Sequence, residues 1–385
     1  MKIFVIPTSY PDEKHPSKNI FVYEQVAQLA QMGHEITILH VEKLPTKQIF
    51  KTVAPQIKRI DNEFSVRYTI QQKTILEEHF PGLSKNAYVN NMLSLFEHAM
   101  NERGLPDVLY AHFTQWAGYS ASIISQQYGI PLVTQEHYNR LVRKNVPSSL
   151  VKCVEYVVET SSYFLCVSER LKNSIHKLIC TDKELYVVTN MIGQAFNYVP
   201  IRKHNGFIFS AIGRLTAPKD YETLINAFAK AFRTNENVYL RIGGDGEERS
   251  HLEKIVRKLQ REHQIIFLGE LNRQETLAEY INCDCFALSS AWETFGLVYR
   301  EALAIGRPII TTDHGGFARS EWHEEYGYMV PVKDVKSFSN AMVNMRKNSV
   351  FFDGEKISEL CLKDCAPEYI GRKIEKFLYK VVERI

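Results

Sequence analysis

Short β-rich runs alternate with amphipathic helical runs through all 385 residues, and the alternation starts afresh after Pro200. Strand character is expected at Lys2–Ile6, Glu35–Val41, Asp107–His112, Pro131–Gln135, Tyr163–Val167 and Leu185–Thr189. Between these runs the spacing predicts helices over Asn19–Met32, Asn86–Glu102, Gln115–Tyr128 and Ser168–Leu178. Gly33 and the Gly129-Ile130-Pro131 segment read as helix stops. A repeated strand, helix, strand order implies parallel sheets covered on both faces.

Past the polar segment 201–206, strands are expected at Phe207–Ile212, Val238–Ile242, Ile265–Leu268, Asp284–Leu288 and Pro308–Thr312. Helices are expected at Lys219–Phe232, Glu247–Arg261 and Gln274–Ile281, with another opening near Gly296. Two such runs predict an α/β protein of two Rossmann-like domains, residues 1–200 and 201–366. The last run, Pro367–Ile385, carries Ile370, Ile374, Phe377, Leu378 and Val381 on one helical face. It is expected to return and pack on the first domain. Residues 44–83 are mixed and basic, with strand character at Phe64–Ile70, and read as an insertion into that domain.

Composition narrows the function classes. With 45% hydrophobic and 24% charged residues the chain can build ordinary cores, which excludes disorder. The 47 basic and 44 acidic residues leave a net charge of +3, too little to argue for a nucleic-acid partner. No apolar run approaches the ~18–20 residues that span a bilayer. The apolar stretch Ile3–Ile6 is too short for a signal peptide. Seven cysteines, an odd number without a Cys-x-x-Cys pair, suggest idle thiols in a reducing compartment, hence a cytoplasmic protein. Cys283-x-Cys285 and Cys361-x3-Cys365 lack the His or Cys partners that would complete a metal site.

Three strand-to-helix turns in the second half carry chemistry. Glu293 follows the strand at 284–288 and precedes a helix starting near Gly296, where open α/β sheets bind ligands. The N–H groups of Phe295, Gly296, Leu297 and Val298 are available there to phosphate oxygens. Glu301 lies further along that helix and suits a pair of ribose hydroxyls. Taken alone, two glutamates near a helix start are more simply explained as stabilising anions, and their place in the second Rossmann-like half is what favours a functional reading. Arg214 and Lys219 flank the turn after Phe207–Ile212, a fork donor and a point cation suited to a diphosphate. A solvated basic loop capped by Asp220 would explain them as well. Gly243-Gly244-Asp245-Gly246 lacks the third glycine of a dinucleotide fingerprint, but Gly244 can let a ligand approach the backbone. No phosphate-binding Gly-x4-Gly-Lys-Ser/Thr loop occurs.

Together these segments resemble the retaining glycosyltransferases of family 4, which have the GT-B fold of two Rossmann-like domains facing across a cleft. The resemblance rests on Gly213-Arg214-Leu215-x3-Lys219-Asp220, Gly243-Gly244-Asp245-Gly246, Phe267-Leu268-Gly269, Ser290-x-Trp-Glu293-Thr-Phe-Gly-x4-Glu301 and Gly306-Arg-Pro308. In the first half it extends to Gly33-His34-Glu35, His112-Phe113, Glu136-His137, Val167-Ser168-Glu169-Arg170 and Asn190-Met191. It implies that Arg214 and Lys219 hold the donor diphosphate and that Glu301 holds the ribose. Leu271 would pack on the base. Phe295, Gly296 and Leu297 would offer backbone groups, and Glu293 and His137 would serve the transferred sugar. From the residues alone, His137 reads as a strand-end histidine capping nearby backbone, and only the resemblance gives it a role at the sugar. The loop Pro7–Asn19 has no glycine, and Val188-Thr189-Asn190-Met191-Ile192-Gly193 replaces a commoner Pro-Asn-Gly.

The implied reaction is transfer of a sugar from a nucleoside diphosphate donor to a hydroxyl of a glycan or lipid-linked glycan, with retention. Such an enzyme would serve surface polysaccharide or glycolipid synthesis. No Asp-x-Asp occurs, so neither a metal clamp nor a cofactor is expected. A nicotinamide-dependent dehydrogenase would need Gly-x-Gly-x-x-Gly where Pro7-Thr8-Ser9-Tyr10-Pro11 stands. A non-catalytic sugar-nucleotide-binding subunit of the same fold stays open. So does peripheral contact with anionic membrane through Tyr138, Arg140, Leu141, Val142, Arg143 and Lys144.

Overall fold

In the computed structural model, residues 1–12, 18–44, 56–73, 81–143, 145–201, 204–317 and 321–383 are described. The chain divides into two compact units, Met1–Met191 with Pro367–Ile385, and Ile192–Ala366.

The first unit runs β1 (Lys2–Pro7), α1 (Ile20–Gln31), β2 (Glu35–Leu44), β3 (Lys58–Asp61), β4 (Val66–Lys73) and α2 (Pro81–Arg103). It continues with β5 (Val108–His112), α3 (Tyr119–Tyr128), β6 (Leu132–Glu136), α4 (Ser148–Thr160), β7 (Tyr163–Cys166), α5 (Glu169–Ile179) and β8 (Leu185–Val187). Its sheet has the order β3-β4-β2-β1-β5-β6-β7-β8, and only the β3–β4 pair is antiparallel. β1 is apolar throughout because both faces of a central parallel strand are covered. Ile3 and Val5 point to the side of α1, whereas Phe4 and Ile6 point to the side of α2 and α3. Strand β4 extends the expected Phe64–Ile70 run and pairs in parallel with β2. The rest of the segment read as an insertion lies largely outside the described residues.

The second unit runs β9 (Phe207–Ile212), α6 (Tyr221–Ala231), β10 (Val238–Gly243), α7 (Arg249–Lys258), β11 (Ile265–Gly269), α8 (Arg273–Asn282) and β12 (Cys285–Ala287). After these come α9 (Leu297–Ala304), β13 (Ile309–Thr312), β14 (Gly327–Val330), α10 (Val335–Asn348) and α11 (Gly354–Cys365). All neighbours in its sheet, β11-β10-β9-β12-β13-β14, are parallel. The strand order reverses between β9 and β12 here, and between β1 and β5 in the first unit. Such a reversal opens a crevice at the carboxyl ends of the two strands.

The chain leaves the first unit at Met191, not at Pro200. Residues 192–200 belong to the second unit because Arg307, fully buried, donates to the Val199 carbonyl at 2.7 Å. The Val199 N–H in turn bonds the Ile305 carbonyl at 3.2 Å. The last helix, α12 (Pro367–Val382), is part of the first unit. Its Ile370, Ile374, Leu378 and Val381 join Val22, Val26 and Leu29 of α1 in one buried cluster with Ile3 and Val5. This face is what makes the terminal helix integral to the core.

Candidate functional site

In the second unit, the loops that follow β9 and β12 lie on either side of the strand-order reversal. They are stitched together. The Ala291 N–H donates to the Pro218 carbonyl at 2.8 Å, and the Ser289 hydroxyl to the Asp220 carbonyl at 2.6 Å. Between them the Lys219 ammonium meets Glu293 Oε1 at 2.5 Å, and the Ser290 hydroxyl donates to the same oxygen at 2.9 Å. Burial alone would push the Glu293 carboxyl up. Lys219, His314 and the Ser290 hydroxyl overcome that and hold it below the ordinary carboxylate value. Glu293 is therefore an anion paired with a cation. The guanidinium of Arg214, on the same loop as Lys219, is exposed.

The neighbouring loops complete the surface. The Gly213 N–H bonds the Gly243 carbonyl at 3.0 Å, and the Gly244 N–H bonds the Gly269 carbonyl at 2.6 Å. Gly244 has a φ of 132°, and a Cβ there would lie 2.1 Å from the Gly213 carbonyl oxygen. Only glycine permits that contact. Leu271 packs on Gly243, so the side chain expected to meet the base stands against the end of β10. Phe295 and Gly296 close the turn before α9, and Leu297 opens that helix, whose first N–H groups have no acceptor within the helix. Glu301 is buried on α9. One of its oxygens takes Arg273 Nη1 at 2.6 Å and the other the Tyr280 hydroxyl at 3.2 Å.

Some participants were not singled out from the sequence. Gly316 sits so close to Glu293 that a Cβ there would lie 2.8 Å from the Glu293 Cβ. His314 Nδ1 accepts the Gly316 N–H at 2.9 Å, and its backbone carbonyl takes the Glu293 N–H at 3.3 Å. His314-Gly315-Gly316 follows strand β13, the same strand-end glycine signal as Gly243-Gly244, and could have been found that way. Arg300 is buried between the rings of Phe295 and Phe317, 3.8 and 4.2 Å from their centroids. It donates to the Phe295 and Gly316 carbonyls and so ties both loops to α9. Arg273, which holds Glu301, stands just past Leu271.

In the first unit, His137 follows β6 and is buried. Its Nε2 lies 3.1 Å from His112 Nδ1 at the end of β5. Burial pushes His112 down to about 3, and burial followed by the His112 neighbour holds His137 well below its ordinary value. The two rings are therefore a neutral pair sharing one N–H···N bond. Phe21 stacks on His137 with centroids 4.5 Å apart. Thr8 donates to the Gln115 carbonyl at 2.7 Å, which ties the glycine-free loop after β1 to this corner. Arg140 and Arg143 are exposed, but Leu141 is buried at 1% exposure. Leu141 therefore packs inward and cannot meet lipid, contrary to expectation. Lys144 lies outside the described residues. Among the described residues, no group of three or more His, Cys, Asp or Glu side chains could hold a metal ion.

Residues 199–355 match the family model for glycosyl transferases group 1, and residues 19–193 match that for glycosyltransferase family 4. The chain belongs to the group 1, family 4 glycosyltransferases. It is 26% identical to N-acetyl-alpha-D-glucosaminyl L-malate synthase of Bacillus anthracis, over 99% of this chain and 98% of that one. It is 25% identical to a Bacillus subtilis glycosyltransferase named for teichuronic acid biosynthesis, over 91% and 90% of the two chains. Anabaena HepE, solved in complex with UDP, superposes with a TM-score of 0.72 at 16% identity over 99% and 100% of the chains. This glycosyltransferase thus has the GT-B fold, and its relatives act in glycoconjugate and polysaccharide synthesis.

Proposed function

We propose that this glycosyltransferase moves a sugar, with retention, from a nucleoside diphosphate donor to a hydroxyl of a glycan or lipid-linked glycan. The observation that carries the reading is the Lys219–Glu293 pair beside Arg214 at the β9/β12 reversal. A diphosphate entering there would exchange one of the Lys219 hydrogen bonds from Glu293 to phosphate. Arg214 and the N–H groups at the start of α9 would complete its neutralisation.

In the transfer step the bond from the anomeric carbon to the β-phosphate oxygen breaks. The acceptor oxygen bonds that carbon on the same face, and the acceptor proton passes to the departing phosphate oxygen. Charge growing on the diphosphate meets fixed cations and N–H groups, which is preorganised stabilisation without a metal. Glu293 orients the sugar and balances the positive charge that develops on it; for His137, the family resemblance supports a role in the transfer step. The fold-sharing HepE is bound to UDP, which supports a nucleoside diphosphate as the leaving group.

Glu301→Ala tests the ribose assignment. The Arg273 guanidinium is partly exposed and can turn to water, so the helix should survive. Loss of charged hydrogen bonds to ribose should cost roughly 1.5–3 kcal/mol of donor binding. Titration calorimetry with UDP, GDP and ADP reads this directly. Unchanged affinity for every one that binds the unsubstituted protein would remove Glu301 from the site.

We also propose a cytoplasmic location with peripheral contact to anionic lipid through Arg140 and Arg143, each contributing about 1 kcal/mol near such a surface. Among the described residues, no helix is long and apolar enough to cross a membrane. Co-sedimentation with phosphatidylserine vesicles at low salt should fall when both arginines become Gln. Sedimentation that ignores the substitution would end this idea.

A further inference from the structure

Glu136 is fully buried, ends β6 and stands next to His137. Its carboxylate collects four donors. Oε1 takes the N–H of His137 and of Tyr138, each at 2.7 Å. Oε2 takes the Thr114 N–H at 2.9 Å and the Thr114 hydroxyl. Three of the four are backbone N–H groups, which can only donate, so the site accommodates the ionised form. Burial still pushes the carboxyl above its ordinary value, opposed by those four bonds.

These bonds join the loop after β5 to the loop after β6. Phe113, immediately before Thr114, has a φ of 70° and a ψ of 141°. That conformation is strained for a bulky side chain and persists only where the surroundings impose it. Here they do. The Phe113 N–H bonds the Gln135 carbonyl and its own carbonyl takes the Gly118 N–H, both at 2.9 Å, while Glu136 fixes Thr114. The result is a Phe113 ring 5.0 Å from His137, on a loop whose preceding residue, His112, bonds the same imidazole.

We propose that Glu136 is a positioning residue for His137, fixing both the backbone that carries the imidazole and the Phe113–Thr114 turn that packs on it. The proposal rests on the assignment of His137 to the transfer step. Gln at this position keeps the shape, but in either orientation its amide NH2 faces at least one backbone N–H donor, so at least one of the four bonds is lost.

The test is a double-mutant cycle on the full chain. Release of nucleoside diphosphate is followed with whichever of UDP-glucose, UDP-N-acetylglucosamine and GDP-mannose is turned over fastest. Glu136→Gln should lower kcat by about ten-fold or more with donor KM changed less than about three-fold. In a His137→Ala background the same substitution should cost less than about two-fold, because the group it positions is gone. Thr114→Val, which removes only the hydroxyl donor, should show the same pattern more weakly and serves if Glu136→Gln does not fold. Equal losses in both backgrounds, or no loss in either, would overturn the proposal and leave Glu136 a scaffold residue. An unchanged kcat for His137→Ala alone would instead remove His137 from the transfer step, and this inference with it.

Discussion

Glu293→Gln should separate binding from turnover. The carboxylate has two jobs in the proposed site: it pairs with Lys219 while the donor is absent and balances charge on the sugar during transfer. Removing its charge should lower kcat by about 10²–10³, the loss expected for one preorganised electrostatic partner. Nucleoside diphosphate affinity should stay level or improve, since Lys219 no longer has to leave a carboxylate 2.5 Å away. Lys219 keeps some contact with water, at 20% exposure, so an unpaired ammonium is tolerable there. Kinetics together with calorimetry on the same preparation check both halves. A parallel loss of affinity and turnover would show that Glu293 holds the loops together and nothing more.

Lys219→Ala should be the more damaging change at the diphosphate. It deletes a charged partner, roughly 1.5–3 kcal/mol, and leaves the Glu293 carboxylate to repel the incoming phosphates. Arg214→Ala removes only an exposed cation and should cost less. The two together should be less than additive, because both address one diphosphate. Adding Glu293→Gln to Lys219→Ala should recover part of the lost nucleoside diphosphate affinity, since the repelling charge disappears. Equilibrium binding across this series decides the matter, and no recovery in the double variant would break the proposed link between the two residues.

Much of the fold was legible because parallel strands buried on both faces are written as continuous apolar runs. Ile3–Ile6 and Phe207–Ile212 are examples, and the turns after them carry the glycines and charges that were singled out. Edge elements lack that signature. Every residue of β14 is only partly buried, and it went unread. The helix expected from Gln115 begins at Tyr119 instead, because residues 114–118 form a wider turn with Gln115 at a ψ of 128°. Its first residue, Thr114, is held by Glu136.

The candidate site was legible residue by residue but not as a set of partners. Lys219 and Glu293 stand 74 positions apart. They meet only because the sheet places β12 beside β9, and strand order is not written in any local pattern. The same holds for Arg273, which reaches Glu301 across α8 and α9. His137 was singled out through the family resemblance, while Glu136 was noted only as its neighbour in that motif, because only burial and four converging donors reveal its role.

Retaining, metal-free transfer is decided by the anomeric configuration of the first-formed product, read by proton NMR. The α-linked donors UDP-glucose, UDP-N-acetylglucosamine and GDP-mannose would be supplied with excess chelator present. Whichever donor is consumed should release nucleoside diphosphate and yield the α-glycoside or α-sugar first, at a rate the chelator does not change. A β product, or release that requires an added divalent ion, would contradict it.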